Sequence, residues 1–221
     1  MRQARARGHL ELARTAPATP ARRPNRRDHV VRSAVTVFAR EGFQGTSIQD
    51  VAAEADVVTT AVYYHFSSKD ELYEAALEYV FGQLDAVVLQ ARPEGEELSF
   101  HRTISAVWDW VENNPEPATL LYHQLPGATA NSLQIRQDFE RRHIERMVDY
   151  LHTPAASGNR RDAALRWTTT SLIMRSLFAL GTNMHSLRLG DGPLAGHSTS
   201  ALRRAYEEVS LAMMALAEDR G

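Results

Sequence analysis

Thr46-Ser47-Ile48-Gln49-Asp50-Val51-Ala52-Ala53-Glu54-Ala55-Asp56-Val57-Val58-Thr59-Thr60-Ala61-Val62-Tyr63-Tyr64-His65 holds two short helical patterns separated by a tight break. Thr46 followed by Gln49 is a capping-box pattern, and Ile48, Val51, Ala52 and Ala55 then repeat at helical spacing. The break falls at Asp56. A second helix is predicted from Val58 to His65, with Val57 and Val62 facing a core and polar side chains left over.

The flanks fit the same pattern. Upstream, Val31, Ala34, Val35 and Phe38 form one apolar stripe, and Gly42 is placed to end that helix with a positive φ. Downstream, Ser68 and Glu71 form another capping box, so a fourth helix starts near Lys69 and runs to about Arg92, closed by residues 93–97. Further helices are predicted over Ser99–Asn113, Pro117–Leu125, Ser132–His152, Asp162–Ser186 and Thr199–Glu218. No apolar alternation is long enough to predict a strand, so the fold class is all-α.

A chain of 221 residues, 43% of them hydrophobic, can bury a substantial core. It has no cysteine, which excludes disulfides, thiolate metal sites and cysteine nucleophiles. No apolar run approaches the roughly 18–20 residues of a membrane-spanning helix, so a soluble, cytoplasmic protein is expected. Residues 1–26 are rich in Ala, Arg, Pro and Thr and read as a flexible arm. Eight arginines against one glutamate give residues 1–27 a charge of +7, which leaves −9 for the rest of a chain whose total is −2.

Two short helices joined by a tight turn are what major-groove reading requires: one braces against the backbone while the other presents side chains to base edges. Periodicity alone does not separate this from an ordinary helical hairpin. The stretch from Arg27 to Leu72, however, resembles the N-terminal domain of the TetR family of bacterial transcriptional regulators. The resemblance rests on Phe38-Ala39-Arg40-Glu41-Gly42-Phe43, on Thr46-Ser47-Ile48-Gln49-Asp50-Val51-Ala52, and most specifically on Val62-Tyr63-Tyr64-His65-Phe66 followed by Ser68-Lys69. It departs from the family pattern at Asp56, where glycine is usual, and at Val58, where a capping Ser or Thr is common.

The resemblance implies a helix-turn-helix domain over residues 27–73 and a helical effector-binding and dimerisation domain over residues 74–221. It implies base contacts from Gln49, Thr59, Thr60 and Tyr64, and phosphate contacts from Thr46, Ser47, Tyr63, His65 and Lys69. Tyr63 and His65 could instead only pack the small domain, as Phe66 is expected to do. The implied partners are double-stranded operator DNA, a small-molecule effector and a second copy of the chain, in a repressor that the effector releases from DNA. Charge opposes part of this, because residues 28–73 carry three cations against seven acids. The Arg22–Arg27 cluster is the expected source of compensating charge; a solvated tail without a role is the alternative.

The C-terminal half carries no specific motif. In its last helix Leu202, Tyr206, Val209, Met213 and Leu216 alternate spacings of four and three, a seam suited to a dimer interface or to an internal core. Trp108, Trp110, Tyr122, Phe139, His143, Met174, Phe178 and Asn183 are aromatic, polar or polarisable groups on apolar helices. They are candidates for an effector pocket that would take an apolar or aromatic molecule with one or two polar handles. The bland reading of each is core.

The sequence carries no familiar enzyme signature. There is no His-Glu-x-x-His, no phosphate-binding glycine loop and no Gly-x-Ser-x-Gly, so no catalytic residue, metal or cofactor is expected. Arg142-His143-Ile144-Glu145, with Asp138–Arg142 and Arg141–Glu145 as possible ion pairs, reads as a solvated helix face. The competing reading is a helical interaction module, or a small-molecule-binding protein that binds no operator.

Overall fold

The computed structural model describes residues 25–91, 100–123, 129–151, 160–188 and 192–218. Among these residues every regular element is a helix: α1 (Arg26–Gly45), α2 (Ile48–Glu54), α3 (Thr59–His65), α4 (Lys69–Gln90), α5 (Phe100–Asn113), α6 (Pro115–His123), α7 (Ala130–Leu151), α8 (Arg160–Arg188) and α9 (Thr199–Glu218). None is long and apolar enough to cross a membrane. The arm expected at residues 1–26 lies outside the described residues up to position 24, as does Arg92 at the expected end of the fourth helix.

Local chemistry sets the first boundaries. Asn25 caps α1 by accepting from the Arg27 amide, and Gly42 (φ 69°, ψ 172°) turns the chain away from the helical path near its end. That turn brings the Thr46 hydroxyl back onto the Gly42 carbonyl, to which it donates at 2.7 Å. The cap of α2 therefore passes to the next residue: Ser47 and Asp50 form the capping box, not Thr46 and Gln49. Asp56 takes a positive φ of 49°, a conformation glycine adopts more readily, and α3 begins at Thr59 after Val58, which supplies no side-chain cap. Ser68 caps α4, while the Glu71 carboxylate accepts from the amide and hydroxyl of Ser67 at 2.6 and 2.7 Å.

One apolar cluster runs from α1 through α4 and α6 to Phe139 on α7. The domain boundary expected at 73/74 falls inside α4, beside the buried Tyr73, and packing continues across it. α1 rests on both α4 and α6. Two smaller clusters close the C-terminal body: Ile104, Trp108, Leu202 and Tyr206 join α5 to α9, and Met147, Ile173, Leu177 and Met214 join α7, α8 and α9. Gly181 lies against Tyr206: a Cβ there would come within 3.1 Å of the phenol oxygen.

These contacts correct the expected seam on α9. Leu202 and Tyr206 are buried in their own chain's core, while Val209 is exposed and Met213 half-buried. The side chain of Leu216 lies outside the described residues. The outward stripe with the same spacing lies one position earlier, at Ala201, Ala205, Glu208, Ala212 and Ala215. On α8 the exposed side carries Leu165 and Leu172, the latter 63% exposed, together with Ser176 and Ala179.

Candidate nucleic-acid interface and internal cavity

The turn between α2 and α3 is fixed from behind. The Asp56 and Val57 amides donate to Ala53 and Ala52 carbonyls, and His29 of α1 donates from Nε2 to the Ala55 carbonyl at 2.9 Å. A carbonyl can only accept, so Nε2 carries the proton. α3 is anchored by Val62 and followed by Phe66, both buried, with the Arg27 guanidinium 4.8 Å above the Phe66 ring.

With that footing inside, the rest of α3 points outward. Thr60, Tyr63 and Tyr64 occur at i, i+3 and i+4 and are all exposed, Tyr64 at 85%. Thr59 and His65 are half-buried, and Gln49 is exposed in the first turn of α2. The expected base-contact residues are therefore open or partly open. Phe66 packs the domain, while Tyr63 and His65 retain open surface.

The residues expected to contact phosphates divide by how their side chains are engaged within the chain. Thr46 is buried with its hydroxyl committed to Gly42. Ser47 exchanges hydrogen bonds with Asp50, which hold the Asp50 carboxyl below its usual range. Lys69 donates to the carbonyls of Phe43 and Thr46 at 2.9 and 3.0 Å and lies over the Phe43 ring. These three side chains hold the end of α1 to α2 and α4. Arg40 is likewise paired with Glu41 and Glu54. Among the described residues of the N-terminal unit, Arg26 and Arg32 are the arginines without an ion-pair or ring partner.

A cavity of about 130 Å³ lies among α4, α5, α7, α8 and α9. Phe139, His143, Met174 and Phe178, expected as pocket residues, line it. Trp108 and Trp110 do not: Trp108 packs on Tyr206 with ring centroids 5.4 Å apart, and Trp110 belongs to the main core. Asn183 is not in the lining, and the Tyr122 side chain lies outside the described residues. Tyr206, expected at the dimer seam, lines the cavity instead. The α4 and α5 walls, including Leu84, Val88, Ile104 and Val107, were not anticipated.

His143 also departs from the solvated-face reading. It is buried, with Nε2 3.3 Å from the Asp85 carboxylate, and that carboxylate accepts from Arg146 at 2.6 Å. Burial pushes the imidazole down to about 4, against the opposing pull of Asp85. Nearby, Arg141 pairs with Asp138, in place of the expected Arg141–Glu145 and Asp138–Arg142 pairs, and Arg136 pairs with Glu140. As pH falls from about 6.5 toward about 4, the unfolded chain takes up a proton at position 143 that the folded chain refuses. Stability contributed by the neutral ring is therefore present above that window and lost within it, by on the order of 3 kcal/mol. Urea unfolding at neutral pH and near pH 4 is expected to show a smaller acid loss for His143→Gln than for the wild type; equal losses would remove this assignment.

Residues 30–76 match the family model described as bacterial regulatory proteins, tetR family. The chain is 29% identical over 97 residues to the transcriptional repressor NicS of Pseudomonas putida, covering 43% of this chain and 46% of that protein. It is 32% identical over 88 residues to the repressor KstR2 of Mycolicibacterium smegmatis, covering 38% of this chain and 43% of that protein. The matches thus span less than half the length of either relative. A crystal structure of a TetR-like regulator from Rhodococcus sp. RHA1 superposes with a TM-score of 0.63 at 22% identity, covering 88% of this chain and 98% of that one. The N-terminal unit thus matches the tetR family model over residues 30–76, and the all-helical fold of the whole is like that of the TetR-like regulator from Rhodococcus.

Proposed function

We propose that this protein is a homodimeric, DNA-binding transcriptional repressor that works in the cytoplasm and leaves its operator when a small molecule enters the cavity. The observation that carries this reading is α3: a short helix anchored by Val62 that presents Thr60, Tyr63 and Tyr64 on one open face. Side chains of this kind can donate to phosphates and meet base edges in a major groove. Pairing of two copies is supported by the small and apolar outward residues of α8 and α9, which suit a four-helix contact. The cavity reaches α4, whose N-terminus follows α3, so a ligand and the recognition helix act on one element. A ligand weakens DNA binding only as far as it prefers the conformation that DNA disfavours.

Selection of bound sequences from a random duplex pool by the purified chain tests the reading. The expected result is a palindrome whose half-sites lie one duplex turn apart, roughly 34–36 Å. No enriched sequence would leave a helical interaction or ligand-binding protein as the better description.

A further inference from the structure

We propose that the cavity's ligand is an amphiphilic anion, a carboxylate on an apolar body about the size of one aromatic ring, with the carboxylate held at Arg175. This rests on the reading that the cavity is the effector site. A cavity of about 130 Å³ is close to the roughly 150 Å³ of an engineered apolar cavity that holds benzene. The inner wall suits such a ring: Phe139 and Phe178 lie 5.8 Å apart by centroid, beside Leu84, Leu177 and Met147.

Charge decides the polar end. The ionised side chains in the lining are Glu140, Arg146 and Arg175, an excess of one cation. Each neighbouring carboxylate already has a close partner: Glu140 takes Arg136 at 2.8 Å in a largely buried pair, and Asp85 takes Arg146 at 2.6 Å. Arg175 stands 3.7 Å from Glu140, beyond hydrogen-bond distance, and its side chain is 58% exposed. It is therefore the guanidinium with donors to spare, and it marks the mouth. A carboxylate there keeps part of its hydration while the ring is buried, which limits the desolvation cost.

A second polar group faces the same space. His143 lines the cavity, is 93% buried by its 7% exposure, and its Nε2 has no hydrogen-bond partner among the described residues. Its Nε2 lies 3.3 Å from the Asp85 carboxylate, and the neutral ring adds no charge of its own to the lining. A cationic ligand would meet the uncompensated arginine, and a neutral one would leave it unused.

Calorimetric titration of the full chain with hydrocinnamate and with hydrocinnamyl alcohol, which share a carbon skeleton, tests the proposal at neutral pH. The acid is expected to bind about tenfold tighter or better than the alcohol. Arg175→Gln is expected to erase that preference without weakening the alcohol, and Arg175→Lys to retain part of it. An alcohol that binds as tightly as the acid, a failure of both to bind, or a preference that survives Arg175→Gln overturns the proposal. Operator binding by the ligand-free protein is measured separately. Selective DNA binding without acid preference removes the anion site and leaves the repressor reading; acid preference without selective DNA binding does the reverse.

Discussion

Alanine at Thr59, Thr60 and Tyr64 together is expected to abolish operator selectivity in a protein that still folds and pairs. Each contact to a base edge is worth about 1–3 kcal/mol of discrimination. Three such contacts repeated in two half-sites place the loss of operator affinity on the order of 10⁴-fold or more. The fold has little to lose, since Tyr64 and Thr60 are exposed and Thr59 is half-buried at the start of α3. Changes at such surface positions usually lie within about 0.5 kcal/mol. Fluorescence anisotropy at one fixed salt concentration, with the selected duplex and a scrambled one, reads the loss; urea unfolding checks the fold. A variant that folds normally and still prefers its operator by the wild-type margin would end the assignment of α3 as the reading helix.

The second large effect is structural. Phe38→Ala is expected to destabilise the protein by about 3–5 kcal/mol, the range for emptying a buried phenylalanine site. Phe38 is fully buried, packs edge-on to Tyr73 at 4.9 Å between centroids and stacks with Phe43 at 6.1 Å. It therefore joins α1 to α4 where the two sequence-defined domains share their core. Total stabilities of about 5–15 kcal/mol leave little margin after such a loss. At about 2–4 °C per kcal/mol for a chain of this size, the melting temperature is expected to fall by about 10 °C. A drop of only one or two degrees would show that this ring is not the hub of the N-terminal unit. Phe38→Leu, which keeps most of the volume, is expected to lose much less.

Much of the helical framework was legible because local signals agreed. Gly42, Asp56 and Ser68 mark the ends and starts that the structure uses, and Val31, Ala34, Val35 and Phe38 are indeed one buried stripe. Where signals competed, tertiary contacts chose. Thr46 and Ser47 are adjacent hydroxyl residues with a possible partner three positions later in each case. The turn at Gly42 settled the cap on Ser47 by occupying Thr46. On α9, two stripes share the same spacing one residue apart; Leu202 and Tyr206 went inward, while Val209 stayed exposed like the alanines of the other stripe.

The cavity was harder to read than α3. Trp108 and Trp110 are two positions apart, so a helix sends them to different sides. One meets α9 and the other the main core, and neither reaches the cavity. His143 is flanked by Arg141, Arg142 and Glu145, which made its neighbourhood look solvated. Its true companions are Phe139 and Met147, four residues to either side, all on the buried stripe of α7. The α4 and α5 walls depended on which helices meet, a long-range fact that periodicity does not contain.

If the chain reads operator DNA as proposed, the internal use of Arg27, Arg40 and Lys69 has a consequence for how a genome is searched. Sliding along arbitrary duplex relies on loosely held positive charge, and the helical N-terminal unit has tied most of its own into its scaffold. On that reading the travelling grip would fall to the arginine-rich residues that precede α1 in sequence, while the choice of where to stop would stay with an almost uncharged helix face. Speed of arrival and fidelity of stopping can thus be altered independently of each other.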